Sequence, residues 1–235
     1  MKKHEHLKIL FILIILSFFS SCSNEQQKNE AENILISTTS KSLINESLIK
    51  LGARKIVAEN YNSKTIYHFE TFRNFNLFGK SIDLSSYKFI KKNNMIFLNN
   101  NQNYKLKMIN NQPYIYTPNY KGFVKDNNTV FLDSDAVILM LFVINDNSNE
   151  QEKIDTKLIL DNVSKIQGGC SVWNTYYSAG IGANKAASLS NLEYNANDAI
   201  HSGDLNGCKL LSLQAETSCA WESSLCVSTI AWCCS

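Results

Sequence analysis

Short apolar runs alternate with polar turns through the first half of the chain. Residues 64–72 (KTIYHFETF) place Ile66 and His68 on one strand face and Tyr67 and Phe69 on the other. The runs that follow are separated by asparagine-rich turns, and asparagine tolerates left-handed backbone. We therefore expect an antiparallel meander or a small barrel. These runs read YKFI, MIFL, YKLKMI, PYIY, GFV and TVFL.

Two stretches depart from this pattern. Residues 42–51 (SLINESLIKL) carry apolar side chains at helical spacing and precede Gly52, which predicts a short helix that ends there. Residues 136–144 (AVILMLFVI) are apolar throughout, but nine residues cannot span a membrane as a helix. We expect a central strand buried on both faces, with a short core helix as the alternative.

The composition changes near residue 165, where Ala, Ser, Gly, Trp and Cys become frequent. Residues 184–201 predict a helix that Ser202 and Gly203 end, and Asp204 can begin a second helix that runs to about Cys226. The predicted fold class is α+β, an antiparallel β-rich meander or barrel-like domain followed by a small helical, disulfide-rich C-terminal domain. The predicted boundaries are 37–150 for the β-rich domain, 151–169 for a linker and 170–235 for the cysteine-rich domain.

The cysteine spacing constrains the second predicted helix. Four of the cysteines fall on one helical face, and positions seven apart on a helix are about 10.5 Å apart, too far for a disulfide. Either the chain folds back, or some cysteines pair between molecules, or some stay reduced. We favour a folded-back tail closed by three disulfides, with cysteine packing in a helix seam as the alternative. The six candidates are Cys170, Cys208, Cys219, Cys226, Cys233 and Cys234.

The N-terminus has the order of a secretory signal. A basic start with Lys2, Lys3 and Lys8 precedes an apolar run at residues 10–19, which is too short for a comfortable membrane span. The following Phe19-Ser20-Ser21-Cys22 resembles the lipobox of bacterial lipoproteins, although its first position is Phe where Leu is commoner. The resemblance implies cleavage of residues 1–21 and acylation of Cys22. Residues 22–36 then form the lipidated cysteine and a polar tether.

The signal also accounts for the charge of the chain. The whole chain carries a net charge of +2, and three lysines against Glu5 give residues 1–21 the same excess. The mature protein is therefore close to neutral, and we expect no nucleic-acid partner.

Gly168 and Gly169 mark a second junction. The stretch 160–170 (LDNVSKIQGGC) is similar to the end of a double-glycine leader, which implies a cut between Gly169 and Cys170. A hinge between two domains explains the same glycines, and such leaders are N-terminal, unlike this one.

Few residues suggest catalysis. Asp133 and Asp135 are a carboxylate pair, Gly180 and Gly182 hint at a phosphate loop, and His68 and His201 are the histidines downstream of Cys22. None of these completes a nucleotide, zinc or nucleophile motif. The tail also lacks the CxxC pairs that structural zinc sites favour. We expect no enzyme activity, no metal and no cofactor.

Aromatic residues of the first half offer a candidate ligand groove, and cross-strand packing is the alternative role for them. They include Tyr114, Tyr116 and Tyr120. The function that we expect is a noncatalytic binding protein held on the cell envelope, at the outer membrane, by lipid on Cys22. Its partner is an unidentified protein or ligand. The alternative is a carrier of a cysteine-rich antimicrobial or signalling peptide released after Gly169.

Overall fold

The computed structural model describes residues 34–98, 101–110, 112–124, 133–148, 154–155, 170, 174–211, 215–220 and 224–234. The α-helices in this part of the chain are α1 (Glu46–Lys50), α2 (Ser134–Asn147) and α3 (Lys185–Ser202). The strands are β1 (Leu35–Lys41), β2 (Leu43–Ile44), β3 (Ala53–Tyr61), β4 (Thr65–Thr71), β5 (Phe75–Leu77), β6 (Lys80–Ile82), β7 (Lys88–Lys92), β8 (Met95–Leu98), β9 (Lys105–Ile109), β10 (Gln112–Tyr116), β11 (Lys121–Phe123), β12 (Ile154–Asp155), β13 (Thr175–Gly182), β14 (Cys208–Leu210), β15 (Glu216–Ala220) and β16 (Leu225–Cys234).

Eight strands form the antiparallel meander that the sequence predicts. Their order is β1-β3-β4-β7-β8-β9-β10-β11, so five of the seven neighbouring pairs are also consecutive in sequence. The asparagine-rich turns behave as expected, since Asn93, Asn94 and Asn110 all have positive φ. The antiparallel β-rich character predicted for this half is confirmed.

The apolar stretch 136–144 forms most of the helix α2, so the predicted central strand was wrong and the alternative helix is present. The Asp133 carboxylate caps α2 by accepting a hydrogen bond from the Ala136 amide at 3.0 Å. Every residue from Ala136 to Ile144 is at most 1 % exposed. A helix that is apolar on all sides needs packing partners on all sides.

The meander and a second sheet, formed largely by the C-terminal strands, supply those partners. On one side, the Phe142 ring stacks on Phe89 at a centroid distance of 4.1 Å and meets Phe69 edge-on at 6.1 Å. The same hydrophobic core includes Leu225 and Val227 of β16, from the other end of the chain. Helix α2 is therefore a layer between the two sheets.

The second sheet combines strands from both halves. Its order is β14-β16-β13-β5-β6, with β15 paired to β16, and β5 runs parallel to β13. The two stretches predicted as separate units, 37–150 and 170–235, thus share a sheet and a core. Most of the predicted linker at 151–169 lies outside the described residues.

The second helix predicted from Asp204 to about Cys226 was wrong. Residues 208–210, 216–220 and 225–234 are strands, and the last of them reads LCVSTIAWCC. The β-branched Val227, Thr229 and Ile230 favour a strand over a helix. The C-terminal part is consequently a sheet with one long helix, rather than a helical unit.

Helix α3 forms where residues 184–201 predict it, with Asn184 as N-cap and Gly203 ending it at a φ of 86°. The helix lies directly on β13 because Gly180 and Gly182 have no side chain. A Cβ at Gly180 would lie 2.1 Å from the Leu192 amide nitrogen. These glycines serve helix–sheet packing, which explains the pattern that hinted at a phosphate loop.

Helix α1 is shorter than predicted. Leu43 and Ile44 form β2, which pairs with β12, and the helix starts only after Asn45, whose side chain accepts a hydrogen bond from the Leu48 amide. Gly52 follows with a φ of 96°, and a Cβ there would lie 2.5 Å from the Arg73 carbonyl oxygen. The predicted end of the helix at Gly52 is confirmed, and its predicted start is too early.

Replacing Phe142 by Ala tests the central role of α2. We expect the free energy of unfolding to fall by about 3–5 kcal/mol, because a buried aromatic ring is lost and a cavity remains. Urea unfolding measures this change. Tyr194→Ala, at a 59 % exposed position on α3, is the control and should change it by less than about 0.5 kcal/mol. Equal effects of the two substitutions would contradict the packing described.

Candidate functional site

All six cysteines that were predicted to form disulfides do so, in three pairs within the chain. The pairs are Cys170–Cys233, Cys208–Cys234 and Cys219–Cys226, with Cα atoms 5.7, 3.9 and 4.1 Å apart. Of the alternatives left open by the spacing, the folded-back tail with three disulfides is the one observed.

Strand geometry explains how these pairs form. Cys219 and Cys226 are directly opposite each other in the antiparallel pair β15–β16, so seven residues along the chain bring them face to face. Cys208 is likewise opposite Cys234. Successive side chains on a strand point to opposite faces, so the adjacent Cys233 turns away from Cys234 and bonds Cys170.

Two of the predicted sites fall outside the described residues. Cys22, the predicted lipidation site, and Gly168 and Gly169, the predicted processing site, are not among them. None of the helices in the described part of the chain combines the length and the hydropathy that a membrane crossing requires.

The structure brings the two predicted carboxylates together with two tyrosines. The Tyr87 hydroxyl donates a hydrogen bond to Asp135 at 2.8 Å, and the Tyr104 hydroxyl donates one to Asp133. Burial, and then these hydrogen bonds, raise the pKa of Tyr87 and of Tyr104 above the ordinary range of tyrosine. Since Asp133 also caps α2, we interpret this group as a clamp between the sheet and the start of the helix.

A small pocket opens beside this clamp. Its volume is about 190 Å³, and Tyr87 and Asp135 contribute to its walls. The other lining residues are Ser86, Lys88, Leu98 and Asn101. The lining mixes both charges with one apolar side chain, and both clamp carboxylates already accept tyrosine hydrogen bonds.

The histidines and carboxylates of the described residues are not grouped as metal ligands. His68 lies on β4, and His201 lies in the last turn of α3 with its Nδ1 2.7 Å from the Asn197 carbonyl oxygen. Within the described residues, no group of three or more His, Cys, Asp or Glu side chains is placed to hold a metal ion.

A lysine-rich surface lies on the outer side of β8 to β11, opposite the face that is buried in the hydrophobic core. Strand register aligns two rows of side chains across these four strands. We call the eight residues of these rows the lysine–aromatic face. One row is Phe97, Lys105, Tyr116 and Lys121, and the other is Met95, Lys107, Tyr114 and Phe123.

Ring and charge contacts organise this face. The Lys105 and Lys121 ammonium groups lie 4.7 and 5.4 Å from the centre of the Tyr116 ring. The Tyr114 ring is 5.0 Å from Tyr116 and 4.9 Å from Phe123. The large apolar side chains of the lysine–aromatic face are half-buried and belong to neither hydrophobic core cluster of the described residues. The face is therefore not part of the fold's main packing.

Two of the three tyrosines predicted to line a groove, Tyr114 and Tyr116, lie on this face. Tyr120 does not, because it packs against the core and its hydroxyl donates to the Phe123 carbonyl at 2.7 Å. The lysines of this face were not predicted as site residues. The sequence does indicate a basic surface here, since residues 84–125 contain seven lysines and no Asp or Glu.

Comparison of the chain with protein-family models, with curated protein sequences and with solved structures finds no match.

The disulfides predict an order of stabilities. Cys170–Cys233 closes a separation of 63 residues and Cys219–Cys226 one of 7. Loop-closure entropy then makes replacement of the first pair by serine costlier, by about 2 kcal/mol of unfolding free energy. Urea unfolding of the two double-serine variants measures the difference. An equal or reversed order would contradict this prediction.

The tyrosine clamp predicts an alkaline effect. Because folding raises the pKa of Tyr87 and Tyr104, their contribution is complete below the unfolded pKa of about 10. It is lost as the pH rises above that value towards the folded pKa. We expect a double variant Tyr87→Phe/Tyr104→Phe to lose less stability than the parent between about pH 9 and about pH 11.

Urea unfolding across this pH range is the measurement for the clamp. Tyr194→Phe, at an exposed position, is the matched control and should follow the parent. Identical pH dependence of the double variant and the parent would show that the clamp tyrosines ionise as exposed ones do.

Proposed function

We propose that this chain is a noncatalytic binding protein of the bacterial cell envelope, held at the outer membrane by lipid on Cys22. The single observation that carries the binding role is the lysine–aromatic face. It exposes cationic groups beside apolar rings without serving the core. Because these side chains do not belong to the core, they are available to contact a ligand.

Two further features support the envelope location. The lipobox-like Cys22 follows a signal-like segment. Disulfides persist in oxidising compartments outside the cytosol, and this chain closes three of them. An extracytosolic protein whose first cysteine carries lipid leaves an even number of cysteines for disulfides, which agrees with the three pairs.

The released peptide is the second candidate, and one observation favours it. All three disulfides lie between Cys170 and Cys234, so a cut after Gly169 would leave no covalent link to the rest. The packing argues against release. A freed tail would expose Ile181, Leu225 and Val227, which belong to the shared core.

Replacing Cys22 by Ser tests the anchor. We expect the parent protein in the membrane fraction with a mass increase from acylation, and the variant unacylated and lost from that fraction. Fractionation and intact mass spectrometry of the full chain make the measurement. Asn24→Ala is the control and should behave as the parent. A parent protein without lipid would overturn the anchored proposal.

The same mass spectra test peptide release. We expect the mature protein as one unbroken chain that contains both Cys22 and Cys170. A fragment that begins at Cys170 would instead support the carrier function and contradict ours.

A further inference from the structure

We propose that the lysine–aromatic face binds an acidic polysaccharide that crosses strands β9 to β11. This inference rests on the proposed binding function and names the ligand class for it. Three properties of the face support it: lysines without carboxylate partners among the described residues, half-buried rings outside the core, and the spacing of the lysines.

Within the described residues, no carboxylate forms an ion pair with a lysine of the face. None of the strands β8 to β11 contains an Asp or Glu. The ion pairs found among the described residues use Lys50, Lys55 and Lys91, and none of them uses a lysine of the face. Lys105 and Lys121 contact the Tyr116 ring instead. An anionic ligand would supply the missing charge.

The rings supply the second element of recognition. A sugar ring presents a face of C–H bonds that packs on an aromatic ring, while its hydroxyl groups remain in water. Tyrosine suits this contact because its ring is apolar and its hydroxyl is polar. Tyr114 and Tyr116 lie two residues apart on β10 and therefore point to the same side of the sheet. They form a platform for consecutive sugars.

The spacing of the lysines fits a polysaccharide with regularly repeated carboxylates. Lys105 and Lys121 lie on the two strands that flank β10, opposite the same Tyr116. Two strand spacings put their backbones about 10 Å apart. This separation fits two carboxylates that lie two sugars apart on a uronic-acid polymer, and it places the Tyr116 ring under the sugar between them.

Nucleic acid is the competing polyanion, and the charge of the protein disfavours it. Nucleic-acid-binding domains are typically strongly basic, whereas the chain after residue 21 is close to neutral, as the charges in its sequence show. The proposed location outside the cytosol also separates the face from nucleic acid.

The test measures binding of polygalacturonate, a carboxylated polysaccharide, to the purified full chain in detergent by isothermal titration calorimetry. Neutral dextran is the control ligand. We expect polygalacturonate to bind, dextran to bind much more weakly, and added salt to weaken the binding by screening. Lys105→Gln/Lys121→Gln should raise Kd about tenfold or more, since two ionic contacts are lost.

Matched variants separate a site from general charge. Lys80→Gln/Lys209→Gln removes the same charge from exposed positions on the other sheet and should leave Kd unchanged. Lys105→Arg/Lys121→Arg should retain binding, and Tyr116→Ala should weaken it with both lysines still present. The thermal midpoint of each variant checks that the fold is intact.

Several results would overturn the ligand assignment. These are no binding of polygalacturonate, equal losses in the two glutamine double variants, or tighter binding of a single-stranded DNA oligonucleotide than of polygalacturonate. None of these results contradicts the proposed lipid anchor if Cys22 is acylated. Loss of the lipid alone would contradict the location and not the ligand.

Discussion

The burial of helix α2 is the constraint on which the other parts of the structure depend. Its residues Ala136 to Ile144 are almost completely removed from solvent, and a helix without a polar face cannot lie on a surface. One sheet covers only one side of such a helix. The meander therefore packs on one side through Phe69 and Phe89, and the second sheet has to cover the other.

The requirement for a second sheet explains why the cysteine-rich tail belongs to the core. Its strands β13 and β16 place Ile181 and Val227 towards α2, and β5 from the first half extends the same sheet. The other face of this sheet is covered by α3 through the close contact at Gly180 and Gly182. The disulfides then fix strands whose hydrophobic positions are divided between two helices.

Secondary structure is predicted correctly from the sequence where local signals, such as turn residues and helix caps, are sufficient to determine it. Alternation and asparagine turns suffice for the meander, and Asn184 and Gly203 bound α3. The apolar run 136–144 is ambiguous because strand and helix periods cannot be distinguished when every position is apolar. The cap at Asp133 was the signal that separates them. The tail was wrongly predicted as a helix because cysteines seven residues apart fit both one face of a helix and opposite positions of a hairpin. Only the pairing of β15 with β16 distinguishes the two.

The location of the candidate site follows from the same packing. Strands β8 to β10 each bury one face in the hydrophobic core that contains α2, so residues of the opposite face are released from the core and need not be apolar. On β8 to β11 these positions hold lysines, tyrosines, Met95 and two phenylalanines, rather than the mixed charges of an ordinary solvated face.

Sequence alone shows this alternation strand by strand. Which rows the side chains form depends on register, because a shift by one residue would turn every lysine inwards. The register is fixed by the core residues on the other face, Leu106 and Ile115, which are at most 2 % exposed. The same burial that holds α2 thus also aligns Lys105, Tyr116 and Lys121 into one continuous row.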